Sequence, residues 1–197
     1  MFSKIYQGKL LLIALLFLFA IPIFLSTYKL SESPPVWYDE GVFTQVAINL
    51  SKGYGHSLQV APQEFVSAQV ATTSFIVTYP ISLVFKYFGI TLLHARFVMV
   101  FFLLSAVLAS FLLIWQVGGL KSAFYSALLL ISFAPLYGHG KSVLGEVPGI
   151  FFLLFFLYLL NRLEQSRFPS KILYALAGLM FSFSVITKPF FLILIPI

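Results

Sequence analysis

Cysteine is absent from this 197-residue chain. That excludes a disulfide framework, a thiolate nucleophile and a cysteine-ligated metal. Charge is nearly as scarce, at 9% of residues against about 25% in ordinary soluble domains. The twelve Lys and Arg stand singly between apolar runs and form no basic block. A nucleic-acid partner, which needs clustered cations to neutralise phosphates, is therefore not expected despite the net charge of +6. Internal repeats and low-complexity linkers are missing too, and the one Pro-rich spot, Ser33-Pro34-Pro35, only breaks the chain before Trp37. His56, His94 and His139 lie too far apart for any metal-ligand spacing.

What the chain has is apolar surface. It is 60% hydrophobic and 18% aromatic, with a mean hydropathy of +1.01. Such a composition predicts an all-α polytopic transmembrane bundle, because backbone N–H and C=O groups cannot be left unpaired in lipid. The chain is expected to be one domain: a first span over 10–28, an outer loop over 29–96, and further spans over 97–197. Lys4 and Lys9 precede an apolar run from Leu10 to about Thr27, and no small-x-small cleavage site follows it, so this run is expected to be a retained signal anchor. Later runs are Phe97–Trp115, Ser122–Tyr137, Val147–Leu160 and Ile172–Thr187, and a last one begins at Phe190.

Thr72–Phe88 is ambiguous, since it carries several hydroxyl residues, Lys86 and a mid-segment Pro80. Charge decides. If it crossed the membrane, Arg162, Arg167 and Lys171 would face away from Lys4 and Lys9, against the cytoplasmic bias of basic loops. It is therefore expected to lie along the membrane surface. A second juxtamembrane helix is expected from about Glu40 to Lys52, with Val42, Phe43, Val46, Ala47 and Leu50 at helical spacing before the Gly53-Tyr54-Gly55 turn. The predicted location is an integral protein of a bacterial inner or plasma membrane, with a cytoplasmic N-terminus.

This topology collects Asp39, Glu40, His56, Glu64, His139, Lys141, Glu146 and Lys188 on the extracytoplasmic side. An acid there could deprotonate an acceptor hydroxyl while Lys and His hold a phosphate leaving group. Alternatively, Asp39 and Glu146 could share a divalent cation through oxygen ligands. Plainer roles compete: Asp39, Glu40 and Glu146 could serve helix N-termini, and Lys141 and Lys188 could snorkel to the interface. A transporter would show related halves and broken helices near the midplane. A non-catalytic scaffold would need no clustered acids.

Trp37-Tyr38-Asp39-Glu40-Gly41 after the first span resembles the first-loop acidic motif of glycosyltransferase-C enzymes, nearest to the protein O-mannosyltransferase-like and lipid-A aminoarabinose transferase-like proteins. The likeness continues through Phe88-Gly89, Arg96-Phe97, Gly145-Glu146-Val147-Pro148, Ala177-Gly178-Leu179 and Thr187-Lys188. It implies an inverting transfer of sugar from a polyprenyl-phosphate donor to a lipid, glycan or protein acceptor on the extracytoplasmic face. In that resemblance Asp39 is the general base, Glu40 shapes the site, Glu146 is a second acid, Lys141 is a basic loop residue and Lys188 meets the donor phosphate, with metal dependence open. Members of that family run several hundred residues further, so this chain is expected to be an N-terminal fragment.

Overall fold

The computed structural model describes residues 16, 18–68, 73–166 and 170–194. The start of the first apolar run, together with Lys4, Lys9, Thr72 and Arg167, lies outside them. The chain is all-α apart from one short hairpin: α1 (Leu18–Thr27), α2 (Tyr38–Ser51), β1 (Ser57–Ala61), β2 (Glu64–Ser67), α3 (Phe75–Phe88), α4 (Leu92–Ile131), α5 (Ala134–Gly140), α6 (Glu146–Gln165) and α7 (Lys171–Thr187), then a 3₁₀ turn over Pro189–Leu194.

The helix expected from Glu40 is present and starts two residues earlier. Trp37 is its N-cap and contributes no side-chain bond; Asp39 and Glu40 fall in the first turn, where negative charge opposes the helix dipole. Beyond Gly53 and Gly55, both at positive φ, the outer loop holds an antiparallel hairpin that the apolar pattern did not predict. Strands of five and four residues carry too little alternation to be recognised. Tertiary contacts hold them instead: the buried Asn49 amide donates to the Ser57 carbonyl at 3.0 Å, and Tyr54 stacks on Phe65 with centroids 4.5 Å apart.

α4 is two limbs. Gly119, at φ 77°, interrupts the helical geometry, and the rings of Phe111 and Phe124 lie 5.7 Å apart. A straight helix would separate these positions by about 20 Å, so the chain turns back on itself. Ala106 packs in one buried cluster with Ala123 and Ala127, small residues that let the limbs approach closely. The runs Phe97–Trp115 and Ser122–Tyr137 thus form a helical hairpin, and the second ends early. The return limb stops at Ile131, and α5 begins at Ala134 with Pro135 in its first turn, where a missing N–H costs nothing.

α6 and α7 are antiparallel. Phe152 meets Phe183 at 5.3 Å, Phe156 meets Phe181 at 5.0 Å, and Ser184 Oγ donates to the Gly149 carbonyl at 3.0 Å. The bundle therefore has two ends. Lys121, Arg162 and Lys171 sit at one; Arg96, His139, Lys141, Glu146 and Lys188 sit at the other. Along α6 the two ends are about 24 Å apart, counting from Glu146 to Arg162.

α3 spans only 14 residues, or about 21 Å. It runs back beside the first turns of α4, with Phe88 beside His94 and Pro80 beside Phe101 around a shared apolar cleft. Val77, Ile81 and Phe85 are buried in the same cluster as Phe43 of α2 and Ala95 and Met99 of α4. Two helices, α4 and α6, have the length and apolar composition to cross a membrane, while α1, α3 and α7 are shorter apolar helices among the described residues.

Candidate functional site

Arg96 and Glu40 organise the polar end of the bundle. Both side chains are fully buried, and the guanidinium grips the carboxylate in a fork, Nε to Oε1 at 2.8 Å and Nη2 to Oε2 at 2.7 Å. The remaining donors reach the Leu30 and Pro34 carbonyls at 2.8 Å each, and the Val143 N–H donates to Glu40 Oε1 at 3.2 Å. One ion pair thereby joins the segment after α1, the start of α2, the outgoing limb of α4 and the loop before α6. Two charges taken out of water are stable only when each is paired and its remaining hydrogen-bonding capacity is met, as here.

That node fixes both walls of a cavity of about 690 Å³. One wall is Pro34 to Trp37 with Asp39; the other is His139, Ser142, Leu144 and Glu146. Asp39 follows from the node directly, because it precedes Glu40 in the same helical turn, while Ser142 and Leu144 flank the Val143 N–H that Glu40 holds. The Asp39 carboxylate faces no ion-pair or hydrogen-bond partner among the described residues. Opposite it, Glu146 Oε1 receives the Lys188 ammonium at 2.7 Å, and Oε2 is buried with no hydrogen-bond partner among the described residues.

Lys188 reaches Glu146 by crossing Gly145. A Cβ at position 145 would stand 2.9 Å from Lys188 Cε and 3.0 Å from the Thr187 carbonyl oxygen. Gly145→Ala is expected to push α7 from α6 or break the pair, destabilising the protein by about 1–3 kcal/mol. Thermal unfolding in detergent checks this, and an unchanged midpoint would show that the junction yields without cost.

The expected site residues thus divide. Asp39, His139 and Glu146 share the cavity, and Lys188 joins them through Glu146. Glu40, expected among the catalytic residues, is buried against Arg96 and touches no cavity surface; its position suits holding the site in shape. Lys141, expected at a phosphate, turns inward and donates to the Tyr28 carbonyl at 2.9 Å, tying α1 to the loop before α6. Burial, and then the Arg96 charge, lowers its pKa from the usual lysine value. Gly140 gives no room to a ligand beside His139; a Cβ there would lie 2.6 Å from Leu103, so the glycine serves the packing of α5 on α4. His56 and Glu64 belong to the hairpin region and do not line the cavity. Among the described residues no three His, Asp or Glu side chains are grouped to hold a metal.

Arg96 and Trp37 are absent from the site residues expected on chemical grounds. Arg96 carried a usable signal, since a cation immediately before a long apolar run is costly unless it has a partner. Trp37 is 66% exposed on the cavity wall, although an interfacial aromatic explains the same exposure. Comparison with protein-family models, curated proteins and solved structures yields no match.

Proposed function

We propose that this chain carries the reaction centre of an inverting integral-membrane glycosyltransferase that uses a polyprenyl-phosphate sugar. The observation that supports this most is the Asp39 carboxylate, unpaired among the described residues, which lines one open cavity with Glu146 and His139 at the end of an apolar bundle. Asp39 takes the proton of an acceptor hydroxyl as its oxygen bonds to the anomeric carbon. The bond from that carbon to the phosphate oxygen breaks, and polyprenyl phosphate leaves with the electron pair. His139 is the cavity side chain suited to the leaving phosphate. Lys188 stands behind Glu146 and supplies positive charge at the rim. The acceptor is a lipid, glycan or protein hydroxyl.

Further support comes from the charge distribution of the two bundle ends. Lys121, Arg162 and Lys171 gather at the end opposite the cavity, as expected if that end is cytoplasmic and the cavity opens outside. α1, both limbs of α4, α6 and α7 then form a polytopic bundle in a bacterial inner or plasma membrane, with α3 returning along α4 without crossing. The chain has no native thiol, so single cysteines report topology cleanly. Cysteines replacing the exposed Ser67 and Tyr87 are expected to react with an impermeant maleimide in intact cells, and one replacing Ser166 only after permeabilisation. Protection of Tyr87→Cys with labelling of Ser67→Cys would overturn the placement of α3.

The functional test is transfer of a radiolabelled sugar from a polyprenyl-phosphate donor by the full-length protein in proteoliposomes. Incorporation that depends on Asp39 supports the reading. Absence of transfer from every polyprenyl-phosphate sugar offered, with the protein folded, refutes it.

A further inference from the structure

A second pocket lies at the opposite end of the bundle, where the outgoing limb of α4 meets the end of α6 about 24 Å along the helix from Glu146. Its volume is about 230 Å³, and it is lined by Leu112, Trp115, Gln116, Tyr158 and Arg162. The polar groups here point one way chemically. Asn161 Nδ2 donates to Gln116 Oε1 at 2.9 Å, which orients the Gln116 amide with its N–H₂ group left to donate. The Trp115 indole offers only an N–H, and Arg162 offers only donors. The guanidinium is steadied over the Tyr158 ring at 6.0 Å, and among the described residues no carboxylate lies within ion-pair distance of it. The pocket is thus rich in donors, cationic and free of acid, with Leu112 and the two aromatic rings as its apolar floor.

We propose that this pocket binds the headgroup of an anionic phospholipid in the leaflet opposite the cavity. A phosphate oxygen accepts from Arg162, Gln116 and Trp115, while an acyl chain lies on the apolar flank of α4. The position favours a lipid over a soluble anion: the pocket lies at the far end of α6, a helix long and apolar enough to cross a membrane, and a half-exposed Trp beside a Tyr and an Arg is the composition of a membrane interface. Arg also suits the ligand, because its planar fork matches phosphate oxygens. This site is independent of the proposed transfer reaction and requires only that the bundle be embedded in a bilayer.

The test uses the fact that the chain has two tryptophans, Trp37 and Trp115. In a Trp37→Phe background Trp115 is the sole reporter, placed in the pocket. The protein is reconstituted into bilayers that mix phosphatidylcholine with phosphatidylglycerol, first one and then the other carrying brominated chains that quench indole fluorescence. Phosphatidylglycerol is expected to be enriched around Trp115 about fivefold over its share of the bilayer, the effect of one interfacial cation. Arg162→Gln should return the ratio to about one, and Arg162→Lys should retain part of the enrichment. A ratio of one in the parent, or enrichment unchanged in Arg162→Gln, would overturn the proposal. Loss of enrichment on adding inorganic phosphate would reassign the pocket to a soluble anion. Circular dichroism of each variant separates loss of binding from loss of fold.

Discussion

Arg96→Met is expected to destabilise the folded protein by about 3–5 kcal/mol, the usual cost of leaving one member of a buried ion pair without its partner. Glu40 would lose both guanidinium bonds in a place where neither side chain is exposed at all. The Leu30 and Pro34 carbonyls would lose their donors in the same substitution. Glu40→Gln is the milder change, since an amide can still accept from the Val143 N–H and partly from the fork, though Arg96 would keep an uncompensated charge. Arg96→Met combined with Glu40→Met should recover part of the loss, because no buried charge remains. Thermal unfolding in detergent of the wild type, Arg96→Met, Glu40→Met and the variant carrying both completes a double-mutant cycle, and a coupling near zero would show that the pair contributes nothing to holding the cavity. Since the node holds both cavity walls, sugar transfer should fall in each single variant even at temperatures where it stays folded.

Asp39→Asn should produce the opposite pattern. Folding should survive, because the N-cap of α2 is Trp37 and the aspartate contributes only its charge to the first turn, worth about 0.3–1 kcal/mol. The rate of sugar transfer should fall by about 10²–10⁴-fold, the contribution of a positioned general base, because asparagine keeps the size but cannot take the proton. The measurement is kcat for transfer from a polyprenyl-phosphate sugar, together with a melting curve. Near-normal turnover in a well-folded variant would end the general-base assignment. A collapse of the melting temperature would instead give Asp39 a structural role that its exposed, unpaired position does not suggest.

These two adjacent acids mark the boundary between what the chain declares and what its fold decides. The sequence by itself determined that the protein is helical and apolar enough for a bilayer, since long continuous apolar runs suit helices rather than the alternating strands of a barrel. It also placed α2, α6 and α7 within a few residues, because an apolar run flanked by acids, glycine or serine is a local signal. Asp39, His139 and Glu146 were legible as chemistry-bearing residues for the same reason, as polar groups standing at the ends of apolar runs. Only the tertiary structure decided that Asp39 and Glu40 differ. They are neighbours in the chain, but successive positions on a helix point about 100° apart, so one faces the cavity while the other is buried on Arg96, 56 residues away. Lys141 and Lys188 likewise have the same local character and different fates: one is taken by the Tyr28 carbonyl just after α1, the other by the Glu146 carboxylate. The break near Gly119 was legible as the gap between two apolar runs, whereas the hairpin after α2 was not, because strands of five and four residues carry too little alternation for local periodicity to record.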